Sequence, residues 1–483
     1  VSFVDDSRVH GLQIGDVSTS SAVVWLRMPG HGELELSLHG EGTNAGTRQL
    51  ITRAESDFTT RVCFAGLAPG TDYRIDWRWR SVEGTAVLNS DACFTTAADS
   101  ARPVRFAWSA DVCGQGWGID PERGGLRIFE VLSTRQLDFF IHCGDSIYAD
   151  HPLEMLRLDE EGSPWRNLVT RAKSEVARDL AGFRGNHRYA WLDPQFSDFA
   201  ARVPQLAIWD DHEVVNNWSP GLDLAADARY AGVGLEELRL WARQAYWEYL
   251  PLPPELSDPQ APLYRQVSRG PLLDVFLLDL HSHRNANGSN LEEGQSEGIL
   301  GAEQTRWLID AMSLSTALWK VVAAGMPLGV NVPDGLDAAG RLRWQGVSNG
   351  DDGPPRGRER EIAHLLAALQ AREVRNWVWL CGDVHYAAAH RYDPSKAVFK
   401  HFDAFHEFVA GPLHAGSFGP LSLDGTFGPQ ALFARASPVR GAAPSAGYQS
   451  FGEVDISPSG LMTVSLRDGV GRLLHATQLE PVR

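Results

Sequence analysis

No run of about eighteen consecutive apolar residues occurs in the chain, so a hydrophobic membrane-spanning helix is not expected. Cysteine is scarce. Cys63, Cys93, Cys113, Cys143 and Cys381 show neither CxxC pairing nor zinc-finger spacing, which excludes a disulfide framework and a structural zinc site and leaves a single Cys63–Cys93 bridge open. Positive charge is also in deficit. A formal net charge of −17 argues against duplex nucleic acid or an anionic membrane as partner, because nothing would neutralise that partner's phosphates globally; an anionic substrate would need local cations. Internal repeats and low-complexity tails are missing. The chain starts at Val1 rather than methionine, which suggests that an initiator or longer leader has been removed, an appearance that any chosen boundary would also give.

With 483 residues and 43% hydrophobic content, the chain has enough material for a large core and more than one structural unit. Residues 1–98 alternate apolar and polar positions in short runs, as in Tyr73-Arg74-Ile75-Asp76-Trp77-Arg78-Trp79, and predict an antiparallel β-sandwich. The turn Gly66-Leu67-Ala68-Pro69-Gly70-Thr71-Asp72-Tyr73 resembles the one before a core tyrosine strand in fibronectin type III-like domains. The polar, small-residue stretch 96–103 fits a linker. From residue 104 to 483, strand-like runs (104–109, 139–143, 205–209, 275–278, 318–323, 377–381) alternate with helix-like ones (125–135, 165–180, 235–249, 302–312, 358–371), which predicts a layered α/β domain. Three closing strands, 452–456, 461–466 and 473–478, are expected to complete one of its sheets.

Chemistry concentrates where those strands end. Asp111 follows the first, Gly144-Asp145-Ser146-Ile147-Tyr148 the second, Asp210-Asp211-His212-Glu213 the third, and Gly382-Asp383-Val384-His385 a late one. Open α/β sheets bind ligands at the carboxyl ends of their strands. One Gly-Asp after an apolar run is ordinarily a loop cap. Four acidic clusters converging on one face repel one another unless cations lie among them. Asp145 is placed to bridge two ions; Tyr148 and His385 would add phenolate and imidazole, a mixed set suited to ferric iron, whereas Asp211, Asp383 and Asn217 would suit calcium, manganese or magnesium.

The motifs Gly-Asp-x-x-Tyr, Asp-Asp-His-Glu followed by Asn216-Asn217-Trp218, and Gly-Asp-Val-His resemble those of the alkaline phosphatase D family of calcineurin-like metallophosphoesterases. So do the stretches 109–119, 349–355 and 408–413. The resemblance implies a four-layer αββα core behind a fibronectin type III/Ig-like sandwich, and hydrolysis of phosphate esters by in-line attack of a metal-bound hydroxide at a binuclear centre. Iron (Fe3+) with Ca2+ is the implied metal pair, with Mn2+, Zn2+ or Mg2+ as alternatives. Asp111, Asp145, Tyr148 and His385 would hold the first ion, and Asp145, Asp211, Asn217 and Asp383 the second. His212 would sit beside the phosphate, and Arg284 would clamp a phosphoryl oxygen. Glu213 is read either as the group orienting His212 or as a ligand. A small-molecule ester is the expected partner of a secreted or periplasmic monomer. A phosphodiesterase or phospholipase D-type activity and a non-catalytic surface-binding role are the alternatives.

The chain also departs from the family pattern. Asp111 stands where some members carry a cysteine ligand, with Cys113 nearby as a substitute; His281 and His283 replace other types ahead of Arg284; Gly325 and His414 stand where Asp and Asn are expected. His281, His283, His390 and His414 are read as pocket-wall or structural residues, and Trp117 and Trp218 as candidates for the pocket mouth.

Overall fold

In the computed structural model, which describes residues 3–40, 43–84, 86–292 and 298–482, the alternating runs near the start of the chain are strands. Thr43–Thr52, Gly32–Gly40, Asp72–Ser81 and Val87–Thr95 form one antiparallel sheet. Leu34, Leu36, Leu38, Ile75, Trp77 and Trp79 point from it into a cluster shared with Leu12, Ile14, Val24, Leu26 and Phe64 on the facing strands Gly11–Gly15, Ser21–Arg27 and Thr59–Ala65. Tyr73 closes the corner, its hydroxyl accepting the Ala68 N–H at 2.8 Å, the bond that marks the tyrosine corner of Greek-key sandwiches. The arrangement fits the expected sandwich, and the division between residues 98 and 104 is kept as a proposal. One feature differs from the sequence reading: Gly15 pairs in parallel with Gln205, so the three facing strands extend a nine-stranded sheet that runs into the rest of the chain.

The centre of that sheet consists of the parallel strands Val104–Ser109, Phe139–Cys143 and Gln205–Ile208. Its far edge is the antiparallel trio Ser450–Ile456, Met462–Asp468 and Leu473–Leu479, which closes the sheet as the sequence suggested. A second, seven-stranded sheet is built on parallel Leu273–Leu277, Trp319–Ala323, Trp377–Cys381 and Phe405–Val409. Between the sheets, Phe106, Trp108, Ile141 and Ile208 pack against Val275, Val321, Val378 and Phe408. Helices Ala302–Leu314 and Glu359–Ala371 cover the outer face of the second sheet through Leu308, Ile309, Ile362 and Leu366. Helices Arg127–Ser133 and Pro194–Arg202 cover the first through Ile128, Phe129 and Phe199. Central strands are therefore buried on both faces, which is why they read as unbroken apolar runs.

Two readings are corrected. Residues 165–180 are not a helix: Pro164–Arg166 is a short strand, and Asn167 then bonds the Gly118 N–H and the carbonyls of Gly116 and Glu154, stitching the segment to its neighbours. The helix starts later, at Leu180, where Asp179 caps the Gly182 N–H. Cys63 and Cys93 are free and exposed, so the Cys63–Cys93 bridge is not formed. No helix among the described residues is long and apolar enough to cross a membrane.

The sandwich strands are tied to the helices beside them. Trp25 stacks on Trp191 at 5.3 Å between ring centroids. Asp57 receives Arg27 at 3.3 Å, Arg188 at 2.5 Å and the Tyr249 hydroxyl. Removing Asp57 would leave two largely buried guanidiniums without their carboxylate. Asp57→Ala is expected to lower the unfolding free energy in urea by about 3 kcal/mol, and a loss below about 0.5 kcal/mol would show that the network carries little.

Candidate metal centre

The turns that end the parallel strands of both sheets meet at one place. Asp111 and Asp145 stand two residues beyond their strands, Asp210 and Asp211 two and three beyond Ile208, and Asp383 and His385 two and four beyond Cys381. Adjacent turns are bonded to one another. The Val112 N–H reaches the Asp145 carbonyl at 2.9 Å, and the His414 N–H reaches the Asp111 carbonyl at 2.9 Å. Glu213, one of whose expected roles was to orient His212, instead accepts the backbone N–H groups of Asp145, Ser146 and Asp210 and the Ser146 hydroxyl, locking two turns together.

Backbone conformation marks the same residues. Asp111, Asp145, Asn217, Asp383 and His385 all have left-handed φ, between 54° and 69°. Such conformations cost about 1–3 kcal/mol each and collect at functional sites. Gly114 allows the Tyr148 ring to approach, since a Cβ there would lie 2.4 Å from it.

Three overlapping groups result, on two sides of the centre. Ligand atoms of Asp111, Asp145 and His385 lie within 4.8 Å of one another, as do those of Asp145, Asp211 and His212 and those of Asp210, Asp211 and Asp383. Asp145 belongs to both sides. The Tyr148 hydroxyl joins the first group, 3.3 Å from Asp111 Oδ1 and 3.0 Å from His385 Nε2. The Asn217 N–H bonds Asp211, and its side-chain nitrogen donates to Asp334 at 2.7 Å, which turns the carboxamide oxygen the other way. Asp111, Asp145, Tyr148, Asp211 and His385 are buried, while Asn217 and Asp383 are partly exposed.

Four buried acceptors, Asp111 Oδ2 on one turn and Asp210 Oδ2, Asp211 Oδ1 and Asn217 Oδ1 on the segment after Ile208, have no hydrogen-bond partner. Orphaned buried acceptors of this kind need an explanation, and cations supply one. Burial, reinforced by Asp383, holds Asp111 well above the usual carboxylate range. Burial, then Asp211 and Asp210, does the same to Asp145. Asp383 is pushed up to about 7 by burial and then by Asp211. The donor set therefore fits metal ions: three acids resist ionisation until positive charge arrives.

His212 is held by a residue that sequence reasoning missed. Its Nδ1 lies 2.7 Å from Oδ1 of fully buried Asp150, whose other oxygen accepts the Asn216 N–H. Burial opposes charge on His212, yet Asp150, Asp211 and Asp383 keep its pKa up at about 9. The Tyr148 ring lies 4.2 Å from the imidazole. Arg284 is buried beside Asp210, Asp211 and Asp383; its Nη2 donates to Asn287 and to the Gln345 carbonyl, its Nη1 lies 3.4 Å from His281 Nδ1, and its Nε is unpartnered. Burial lowers the Arg284 pKa, while Asp211, Asp210 and Asp383 oppose that shift.

Other expectations change. Cys113 is packed in the apolar cluster beneath the outer helices, and burial pushes its thiol up to about 12, so it does not replace a ligand. Trp117 and Trp218 are buried against Trp165 and Trp209 rather than lining a mouth. His414 bonds the Gly118 carbonyl and His390 bonds Glu407, both as structural residues. His283 lies beside Tyr264. His281 contacts Asp210.

Residues 106–465 match the family described as PhoD-like phosphatase. The chain belongs to this family. Among curated proteins, alkaline phosphatase D of Bacillus subtilis (strain 168) is 29% identical over 319 residues, 62% of this chain, and the match spans about half the length of that relative. Among solved structures, one titled "Structure of PhoD" aligns with a TM-score of 0.71 at 19% identity, covering 98% of this chain and 92% of that one. Purple acid phosphatase PPD1 from yellow lupin (Lupinus luteus) seeds aligns at 0.55 with 13% identity, covering 97% of this chain and 73% of that one. At these identities the likenesses establish the fold, a mixed α/β architecture with large sheets and few helices. The PhoD-like match spans the strands and turns that carry Asp111, Asp145, Asp211 and Asp383.

The raised acids give the metal-free protein a pH signature. Folded Asp383 holds its proton up to about 7 against an ordinary value of 3.8, so the folded state binds more protons than the unfolded one between those limits. The stability present below the lower limit is lost as pH rises through the upper one. Chelated protein is expected to melt at a lower temperature at about pH 8 than at about pH 5, and added divalent cation should abolish the difference by stabilising the protein at the higher pH; a flat profile without metal would contradict the reading.

Proposed function

We propose that this chain hydrolyses phosphate esters at a two-cation centre, as a metallophosphoesterase with an αββα core behind a fibronectin type III-like sandwich. The observation that carries the reading is Asp145, which shares one ligand group with Asp111 and His385 and another with Asp211, among acceptors that nothing else satisfies. Asp111, Asp145, Tyr148 and His385 would hold the first ion, and Asp145, Asp211, Asn217 and Asp383 the second. Bound ions supply charge for the phosphoryl oxygens and lower the pKa of a water beside them.

The protein's own groups do the rest. Asp150 engages Nδ1 of His212, leaving Nε2 for a phosphoryl oxygen or the leaving group, and an imidazole with a pKa near 9 carries the proton to donate at neutral pH. Arg284 adds a fixed positive charge beside Asp210, Asp211 and Asp383, where it would favour an anionic phosphoryl group. The Tyr148 phenol is held well above its ordinary pKa by burial, so it gives up its proton only to a strongly charged ion. That favours Fe3+ in the first site, and the all-oxygen second set favours Ca2+, with Mn2+, Zn2+ or Mg2+ as substitutes. A small-molecule ester as substrate, export to the periplasm or exterior and a monomeric state belong to the same proposal and rest on the family resemblance.

The test is turnover of p-nitrophenyl phosphate and bis-p-nitrophenyl phosphate before and after chelation, which also ranks monoester against diester. Asp150→Asn is expected to cost about 10–100-fold in kcat, the usual penalty for an orienting partner, and Asp145→Asn more than that. A phenolate-to-iron absorption band should be present in the visible spectrum and vanish in Tyr148→Phe. Folded, metal-free protein that remains inert toward both esters after reconstitution would overturn the function.

A further inference from the structure

Asp210 has no place in the ligand set above, yet it is 1% exposed and its Oδ2 has no hydrogen-bond partner. One of its oxygens lies within 4.8 Å of ligand atoms of both Asp211 and Asp383. Its Oδ1 is engaged by Nε2 of fully buried His281, whose Nδ1 bonds the Trp218 carbonyl at 2.9 Å. An imidazole held at both nitrogens fixes the plane of the carboxylate it touches, as outer partners do for metal ligands. Asp279 anchors the turn that presents His281, accepting the backbone N–H groups of His281 and Ser282 and the indole N–H of Trp209.

Room for this carboxylate comes from the opposite sheet. Gly325 follows Trp319–Ala323, and a Cβ built there would lie 2.5 Å from Asp210 Oδ1 and 2.9 Å from Oδ2. The glycine leaves the space that the Asp210 carboxylate fills.

We propose that Asp210 is a further ligand of the second cation and that His281 is its positioning residue. The proposal rests on the two-cation reading and deepens it. With Asp145, Asp211, Asp383 and the Asn217 carboxamide, Asp210 makes an oxygen-only set with four carboxylates, suited to Ca2+, which takes about 6–8 oxygen ligands, more than to Zn2+.

The test is calorimetric titration with Ca2+ of protein as isolated, stripped with a calcium-selective chelator, with the transition-metal content measured in parallel. Wild type is expected to bind one Ca2+ tightly. Asp210→Asn should weaken that binding at least about 10-fold and leave the transition metal in place. Gly325→Ala, which keeps Asp210 but crowds its carboxylate, should do the same. His281→Phe should behave like Asp210→Asn, and His281→Gln, which retains a polar end able to meet the Asp210 carboxylate, should recover most of the affinity. Circular dichroism checks folding; should Asp210→Asn fail to fold, the Gly325→Ala titration decides. Wild-type-like Ca2+ affinity, within about 2-fold, in the folded Asp210 and Gly325 variants would overturn this inference alone. Wild type that binds neither Ca2+ nor a transition metal would overturn the two-cation reading and this inference with it.

Discussion

Repulsion among buried carboxylates is the constraint on which the rest of this structure depends. Asp111, Asp145, Asp210 and Asp211 are each at most 1% exposed, and Asp383 adjoins them. Two unit charges 4 Å apart in a partly screened interior repel by about 4 kcal/mol, so no such set is stable unless it is protonated or neutralised. The nearby cationic groups do not suffice. Arg284 commits one terminal nitrogen to Asn287 and the Gln345 carbonyl, the imidazole of His212 is paired with Asp150, and the buried amine of Lys173 is used by the Tyr148 carbonyl and Asn186. Metal ions are the remaining source of charge, and oxygens of Asp111, Asp210 and Asp211 are left without hydrogen-bond partners.

The fold is organised to hold that unfavourable arrangement. Two sheets packed face to face bring turns from Val104–Ser109, Phe139–Cys143, Gln205–Ile208 and Trp377–Cys381 to one end of the molecule. Their left-handed residues are kept in place by bonds between turns, above all those of Glu213. Asp150 and His281 then fix an imidazole and a carboxylate that would otherwise rotate. Packing of the sheets, strain in the turns and charge in the centre are one problem with one solution.

Much of this was legible in the sequence because the signals are local. The strands 104–109, 139–143 and 377–381 are short apolar runs with an acid just beyond, and the structure brings Asp111, Asp145, Tyr148, Asp211, Asn217, Asp383 and His385 to the same centre. What escaped depends on partners distant in the chain. Asp150 lies 62 residues from His212, and His281 lies 71 from Asp210; Asp150, two residues after Tyr148 on a ligand-bearing turn, was the one available hint. Residues 165–180 carry helical spacing, but Asn167 and Trp165 are claimed by the 116–118 loop, so tertiary bonds override the pattern. Trp117 and Trp218 sit in loop-like sequence yet are buried, because loops that surround a metal centre are themselves packed. The continuation of the sandwich strands into the nine-stranded sheet rests on the Gly15–Gln205 pairing, which no local pattern announces.

The central claim is that Asp145 lies between two cations. Anomalous scattering from crystals of the metal-replete protein tests it most directly. The account predicts two peaks, one on each side of the Asp145 carboxylate, the first beside Tyr148 and His385 and the second beside Asp211 and Asp383. A single peak away from Asp145, or none in protein that hydrolyses phosphate esters, would contradict it.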